Sequence, residues 1–117
     1  MQKLILELPL PPSVNSYWGF HGHRRFLTPK ANQFKADVAR IVSLQAIKFG
    51  SARLCLTATF FFPTKRVADI SNRIKALEDA LVQAGLMDDD SQIDEIHIYR
   101  GAIVKGGKTL VQIDVIV

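Results

Sequence analysis

The run Leu54-Cys55-Leu56-Thr57-Ala58-Thr59-Phe60-Phe61-Phe62 leaves this chain the least freedom. Leu54, Leu56, Ala58, Phe60 and Phe62 alternate with Cys55, Thr57, Thr59 and Phe61, a period of two that predicts a β-strand. Neither set is strongly polar, so both faces of the strand are expected to be largely covered. A strand of this kind requires a sheet with other elements packed against it.

The rest of the chain supplies those elements. After Pro63-Thr64-Lys65-Arg66, the residues Ile70, Ile74, Leu77, Leu81 and Ala84 recur at helical spacing. Asp69 stands at the expected N-cap and Gly85 at the stop. Ser71, Asn72, Lys75, Glu78 and Asp79 fall on the opposite side of the helical wheel. Asp88-Asp89-Asp90-Ser91 leads to a third strand over Ile93 to Ile103. Lys105-Gly106-Gly107-Lys108 is a turn, and Thr109 to Val117 is a last strand, which together predict a C-terminal hairpin. Upstream, residues 3–8 alternate as a first strand, ended by Pro9, Pro11 and Pro12. Residues 13–25 read as a long loop. Thr28-Pro29 opens a helix expected to reach about Lys48, with Ala31, Phe34, Val38, Ile41 and Gln45 on one face and Phe49-Gly50 closing it. The order is β-α-β-α-β-β: an α+β fold, with a mixed four-stranded sheet packed with two helices and the strand order left open.

With 117 residues, 48% of them apolar, residues 1–117 are expected to form one domain with an ordinary core. The one cysteine, Cys55, has no partner for an internal disulfide and reads as a buried thiol. The opening residues from Met1 to Glu7 lack the apolar run of a signal peptide, and no segment is long enough to span a membrane, so a cytoplasmic setting is expected. The net charge of +4 conceals a segregation. Residues 21–75 hold eleven Lys and Arg against two acids, whereas residues 76–95 hold seven acids and no Lys or Arg. A basic field around an acidic focus suits a polyanion whose backbone must meet a metal ion; ordinary solvated surface is the plain alternative.

The acids also suggest a chemistry. Asp69, Asp79, Asp89 and Asp90, with Glu78 nearby, can converge if the third strand and the start of the second helix lie side by side. Hard oxygen ligands suit Mg²⁺ or Mn²⁺, and a pair of such ions ~4 Å apart can promote phosphodiester hydrolysis. Lys75 could stabilise charge developing on the phosphate, and Asn72 could orient a ligand. An i,i+4 ion pair between Lys75 and Asp79 is the competing explanation. In the 13–25 loop, Arg24 and Arg25 can reach phosphates, while Tyr17, Trp18 and Phe20 either stack on bases or close over a sheet edge. Lys65, Arg66 and Arg73 extend the basic set. His21 and His23 lack further ligands for zinc and read as surface residues. No glycine-rich phosphate loop is present, so no nucleotide cofactor is expected.

Several of these stretches resemble the RusA family of Holliday junction endonucleases. Pro11-Pro12-Ser13-Val14-Asn15-Ser16-Tyr17 is similar to the family's opening segment, and Asn15 joins the expected DNA-binding residues on that ground. Asp69-Ile70-Ser71-Asn72-Arg73-Ile74-Lys75-Ala76 resembles its D-x-D-N-x-x-K-A helix start. Asp79-Ala80-Leu81, Gly85 and Asp89-Asp90-Ser91-Gln92 follow in the expected order. The resemblance implies Mg²⁺-dependent, symmetric nicking of four-way DNA junctions by a homodimer with one site per subunit, in a family found in bacteria and often in prophages. It implies that Asp69 and Asp90 are the first and last catalytic carboxylates and Lys75 the catalytic lysine. Asp79 and Asp89 match further acidic positions, and Asn72 matches the neighbouring asparagine. One position departs: the family's middle carboxylate falls on Ser71, a neutral hydroxyl. A non-catalytic junction-binding protein of the same fold, or a nuclease for flaps or forks, are the alternatives this leaves.

Overall fold

A computed structural model describes residues 3–66 and 68–117; Met1, Gln2 and Val67, which belong to the opening run and to the stretch before the second long helix, lie outside the described residues. Strand β1 (Lys3–Leu8) is followed by a single helical turn, α1 (Val14–Tyr17), and by two short strands, β2 (Trp18–His21) and β3 (Arg24–Leu27). Helix α2 (Pro29–Ser43) leads to β4 (Leu54–Phe61). A 3-10 turn (Ile70–Arg73) runs into α3 (Ile74–Gln83), and a second one (Asp90–Gln92) precedes β5 (Ile93–Arg100); β6 is Lys108–Val115.

Among the described residues the main sheet has four strands in the order β1-β6-β4-β5, and β2 pairs only with β3. β6 is antiparallel to both β1 and β4, whereas β5 is parallel to β4, so the sheet is mixed as expected. The expected C-terminal hairpin does not form, because β4 lies between β5 and β6. Composition explains the choice. β6 buries Thr109, Val111 and Ile113 and takes an interior place between two strands. β5 carries Asp94, Glu95, His97 and Arg100, which suit a sheet edge, and pairing it in parallel with β4 needs a crossover that α3 provides. Gly106 and Gly107, both at positive φ, still make the predicted turn. Gly101 has a different reason to be glycine: a Cβ there would meet the Phe61 ring at 2.4 Å.

One layer of helix covers one face of the sheet. Leu4, Leu6 and Leu8, Leu54, Leu56, Ala58 and Phe60, and Val111 and Ile113 point to that face. They meet Phe34, Val38 and Val42 of α2 and Leu77, Ala80 and Leu81 of α3. The other set on β4, Cys55, Thr57, Thr59 and Phe61, is only half-buried, so the strand is not covered on both faces as its composition suggested.

Three further boundaries differ from the sequence expectation. Helix α2 begins as predicted, with the Thr28 hydroxyl accepting from the Ala31 amide at 3.3 Å and Pro29 in the first turn, but it ends at Ser43 rather than near Lys48. The chain leaves the helix so that Phe49 can enter the core while its amide bonds the Leu86 carbonyl at 2.9 Å. The third long strand ends at Arg100, leaving Ile103 exposed. The 13–25 loop is not structureless: it folds into α1 and the β2–β3 hairpin, which turns at Gly22 with φ 65°. Among the described residues no helix is long and apolar enough to cross a membrane.

Candidate active site

The acidic and basic residues of the 69–90 region are set by two capped turns and one helix. Asp69 caps the first 3-10 turn. Its Oδ1 accepts from the Ser71 amide at 3.0 Å and from the Ser71 hydroxyl at 2.8 Å. These two bonds, with a lesser contribution from the Arg100 charge, hold its carboxyl below the usual carboxylate range. Arg100 donates to the Ala68 carbonyl and stacks over Phe62, which ties the end of β5 to the residue before Asp69.

The second turn is built the same way. Asp89 accepts from the Ser91 amide at 3.0 Å and forms a capping box with Gln92, and its carboxyl is also lowered by these bonds. Gln92 itself is buried at 5% exposure. Its Oε1 accepts from the Asp88 and Asp89 amides at 3.0 and 2.9 Å, and its Nε2 donates to the Gly50 and Ala52 carbonyls at 2.8 and 2.7 Å. All four hydrogen-bonding positions of the amide are filled. The acidic loop is therefore anchored to the turn before β4 by one side chain to which the sequence reading gave no role.

Between the turns, Lys75 reaches from α3 to Asp90 at 2.7 Å and to Asp79 at 3.3 Å. The expected i,i+4 pair with Asp79 thus exists, and Asp90 is the shorter partner. The Asp90 hydrogen bond first, and then Asp79, raise the Lys75 ammonium above its ordinary value. A raised value favours the protonated form at neutral pH, which suits a fixed positive charge. Asp79 also accepts from the Tyr17 hydroxyl at 3.2 Å. Burial, followed by the Asp79 charge, pushes Tyr17 up to about 12. Tyr17 is therefore a buried support for the acids rather than a free platform for a base.

Two hollows flank this cluster. One of about 280 Å³ is lined by Tyr17, Trp18, Arg25, Asn72, Lys75 and Asp79. The guanidinium of Arg25 lies 3.9 Å from the centre of the Trp18 ring, so a cation and an aromatic face share the mouth. The other, of about 140 Å³, is lined by Asp79, Asp89 and Asp90 with Val82 and Gln83. Asn15, Arg24, Lys65 and Arg66 are exposed. Arg73 is turned inward instead, donating to the Pro11 carbonyl at 2.6 Å and lying over the Phe62 ring. Phe20 is exposed at 71%, and His21 and His23 are exposed on the hairpin as expected of surface residues.

The acids are thus engaged separately: Asp69 by Ser71, Asp89 by its own turn, Asp79 and Asp90 by Lys75. Their donor type fits a hard divalent cation, and the ammonium of Lys75 between Asp79 and Asp90 marks a place where positive charge is already held. No three of these acids bring their oxygens mutually within 4.8 Å, so the compact four-carboxylate convergence is not what the described residues show. The trio that does meet this spacing is Cys55, Glu95 and His97. It is a group of donors that could hold a metal ion, on the uncovered face of β4 and β5, opposite α3.

Glu78 gives a test of the electrostatics. Burial first, then Asp90 and Asp79, raise its carboxyl, outweighing Lys75. A raised folded-state value means that stability is fully present below the unfolded-state value and is lost as pH rises through the folded one. Glu78→Gln is accordingly expected to be more stable than the parent at pH 7, with the difference vanishing near pH 4, as urea midpoints at the two pH values would show. A gain that persists at pH 4 would refute this cause.

The family described as Endodeoxyribonuclease RusA matches residues 9–116. The chain is similar to a crossover junction endodeoxyribonuclease of Enterobacteria phage HK97, 36% identical over 114 residues that cover 97% of this chain and 95% of the relative. It is also similar to enzymes of the same description from Escherichia coli, at 29%, and Enterobacteria phage 82, at 30%. Each of these two alignments covers 92% of this chain and 91% of the relative.

Proposed function

This chain belongs to the RusA family of endodeoxyribonucleases, and on that premise we propose that it resolves four-way DNA junctions by metal-dependent hydrolysis of paired phosphodiesters. The observation that carries the reading is the Lys75 ammonium held against Asp90 and Asp79 at the edge of a hollow that also presents Arg25, Trp18 and Asn72. Positive charge, carboxylates and a site for a nucleotide are adjacent.

In this reading residues 1–117 act as one nuclease domain, in the cytoplasm and as a homodimer. A two-fold pair matches the symmetry of a junction and places one site on each of two opposed strands. Asp69, Asp79, Asp89 and Asp90 are the carboxylates from which the ligands of Mg²⁺, for which Mn²⁺ can substitute, would be drawn. When bound, the ion supplies the charge that polarises the phosphate and activates water. The protein's own groups do the rest. Lys75, permanently charged, stabilises the phosphate as negative charge builds on it. Asn72 and Arg25 orient the flanking nucleotide, and Asn15, Arg24, Lys65 and Arg66 contact the backbone of the arms. Arg73 contributes by keeping the Pro11 segment against the start of the helix. Hydrolysis that leaves 5′-phosphate and 3′-hydroxyl ends makes the nicks ligatable.

Ser71 favours a second reading, a protein that binds junctions without cutting them. Its hydroxyl donates to Asp69 and supplies no charge of its own. A labelled synthetic junction incubated with Mg²⁺, and in parallel with EDTA, separates the two. Paired symmetric nicks that require metal are expected. Salt-sensitive binding with no product in Mg²⁺ or Mn²⁺ would establish the binding protein instead, and preferential cutting of flaps or forks would redirect the substrate.

A further inference from the structure

We propose that Cys55, Glu95 and His97 form a zinc site that clips the edge strand β5 to β4, separate from the acids that face the nuclease hollow. The register makes the site. Cys55 is paired with Glu95 and Thr57 with His97, so the thiol, the carboxylate and the imidazole rise from neighbouring positions on one face of two parallel strands. Their ligating atoms all lie within 4.8 Å of one another, and the Glu95 Oε2 to His97 Nε2 separation is 3.8 Å. Tetrahedral zinc with Zn–S of about 2.3 Å and Zn–N or Zn–O of about 2.0–2.1 Å sets donor atoms roughly 3.3–3.6 Å apart. Closing the trio onto an ion therefore takes about an ångström of side-chain movement. Glu95 and His97 are exposed and free to make it.

The donor set decides the metal. A thiolate and an imidazole select a borderline cation such as Zn²⁺ over Mg²⁺, which takes oxygen ligands. The surroundings favour a cation as well. Asp114 stands opposite Cys55 on β6, with its carboxylate steadied by the Gln112 amide at 2.9 Å. The thiol gives up its proton when it ligates the metal. The fourth position is open to Asp114 or to water. Because β5 has only one neighbour in the sheet among the described residues and follows directly from the Asp90 turn, the clip steadies the strand that carries the acidic loop.

The test uses the whole protein stripped of metal. Titration with Co²⁺ is expected to give a thiolate-to-cobalt charge-transfer band in the near ultraviolet that saturates at one ion per chain. Zn²⁺ is expected to bleach that band, to slow the reaction of Cys55 with a disulfide reagent and to raise the melting temperature, with Mg²⁺ doing none of these. Cys55→Ser and His97→Ala should each lose the band, whereas Asp90→Asn should keep it. His97 is exposed, so its variant remains folded and interpretable. Absence of the band in the parent, its survival in His97→Ala, or a Cys55 reaction rate indifferent to Zn²⁺ would overturn the site. None of these outcomes depends on whether the protein cuts DNA.

Discussion

Asp90→Asn is expected to lose junction cleavage by about 10²–10³-fold or more while binding the junction at least as tightly as the parent. The loss follows from what Asp90 does twice. It is the 2.7 Å partner that sets the position of Lys75, and it is one of the oxygens offered to a divalent ion. The amide keeps the shape but not the charge, so Lys75 is left with Asp79 at 3.3 Å and its ammonium swings toward it. Binding measured without metal holds because removing a negative charge near a polyanion reduces repulsion. Asp69→Asn should behave the same way for a different reason. Asp69 accepts two hydrogen bonds from Ser71, so the variant weakens both the turn and the ligand set. Cleavage assays and binding isotherms at matched salt check both variants. Full activity in either removes that residue from the proposed site. Ser71→Asp tests the departure from the family pattern: it sets a second carboxylate beside Asp69, which should destabilise the protein in EDTA and recover on adding Mg²⁺. If Mg²⁺ brings no recovery, the two carboxylates do not share an ion.

The long elements were legible because each carries its own period. β1, β4 and β6 alternate, and α2 and α3 show a buried stripe, so local patterning agrees with the packed result. What failed was pairing between distant segments. Lys105-Gly106-Gly107-Lys108 turns as expected, yet the strands on either side do not meet, since the choice between a hairpin and a parallel crossover depends on β4, some forty residues upstream. The charged residues of β5 were the available signal. The β2–β3 hairpin was missed because four-residue strands rich in Arg and aromatics lack a clear apolar face. Gly22 at the first position of a two-residue turn was the clue. The candidate site divides likewise. Asp69, Lys75, Asp79, Asp89 and Asp90 could be named from residue type and local order. Tyr17 on Asp79, Arg100 beside Asp69 and the trio around Cys55 arise from register or from contacts across 62, 31 and about 40 positions of chain, which no local pattern encodes.

Gln92 is the residue whose loss should damage stability and activity together. Its amide serves two backbone donors of the acidic loop and two backbone acceptors of the turn before β4, in a position with 5% exposure. Gln92→Ala strands all four groups at once. With each unmet buried group costing about 1–3 kcal/mol and water re-entering the space left behind, a net loss of about 2–4 kcal/mol in urea unfolding is expected. Cleavage should fall even under conditions where the variant is folded, because Asp89 and Asp90 are no longer held against the sheet. Gln92→Glu separates the two halves of the role. A carboxylate there still accepts from the Asp88 and Asp89 amides but faces the Gly50 and Ala52 carbonyls with no hydrogen to offer. Protonation restores one donor, so the folded-state pKa of the new group is raised above that of a free glutamate, about 4.3. The sign follows: the variant should approach the parent's stability below pH 4 and fall away from it as pH rises through the folded value. A Gln92→Glu protein as stable as the parent at pH 7 would mean that the bonds to Gly50 and Ala52 contribute nothing. The acidic loop would then be held by its own capping box alone.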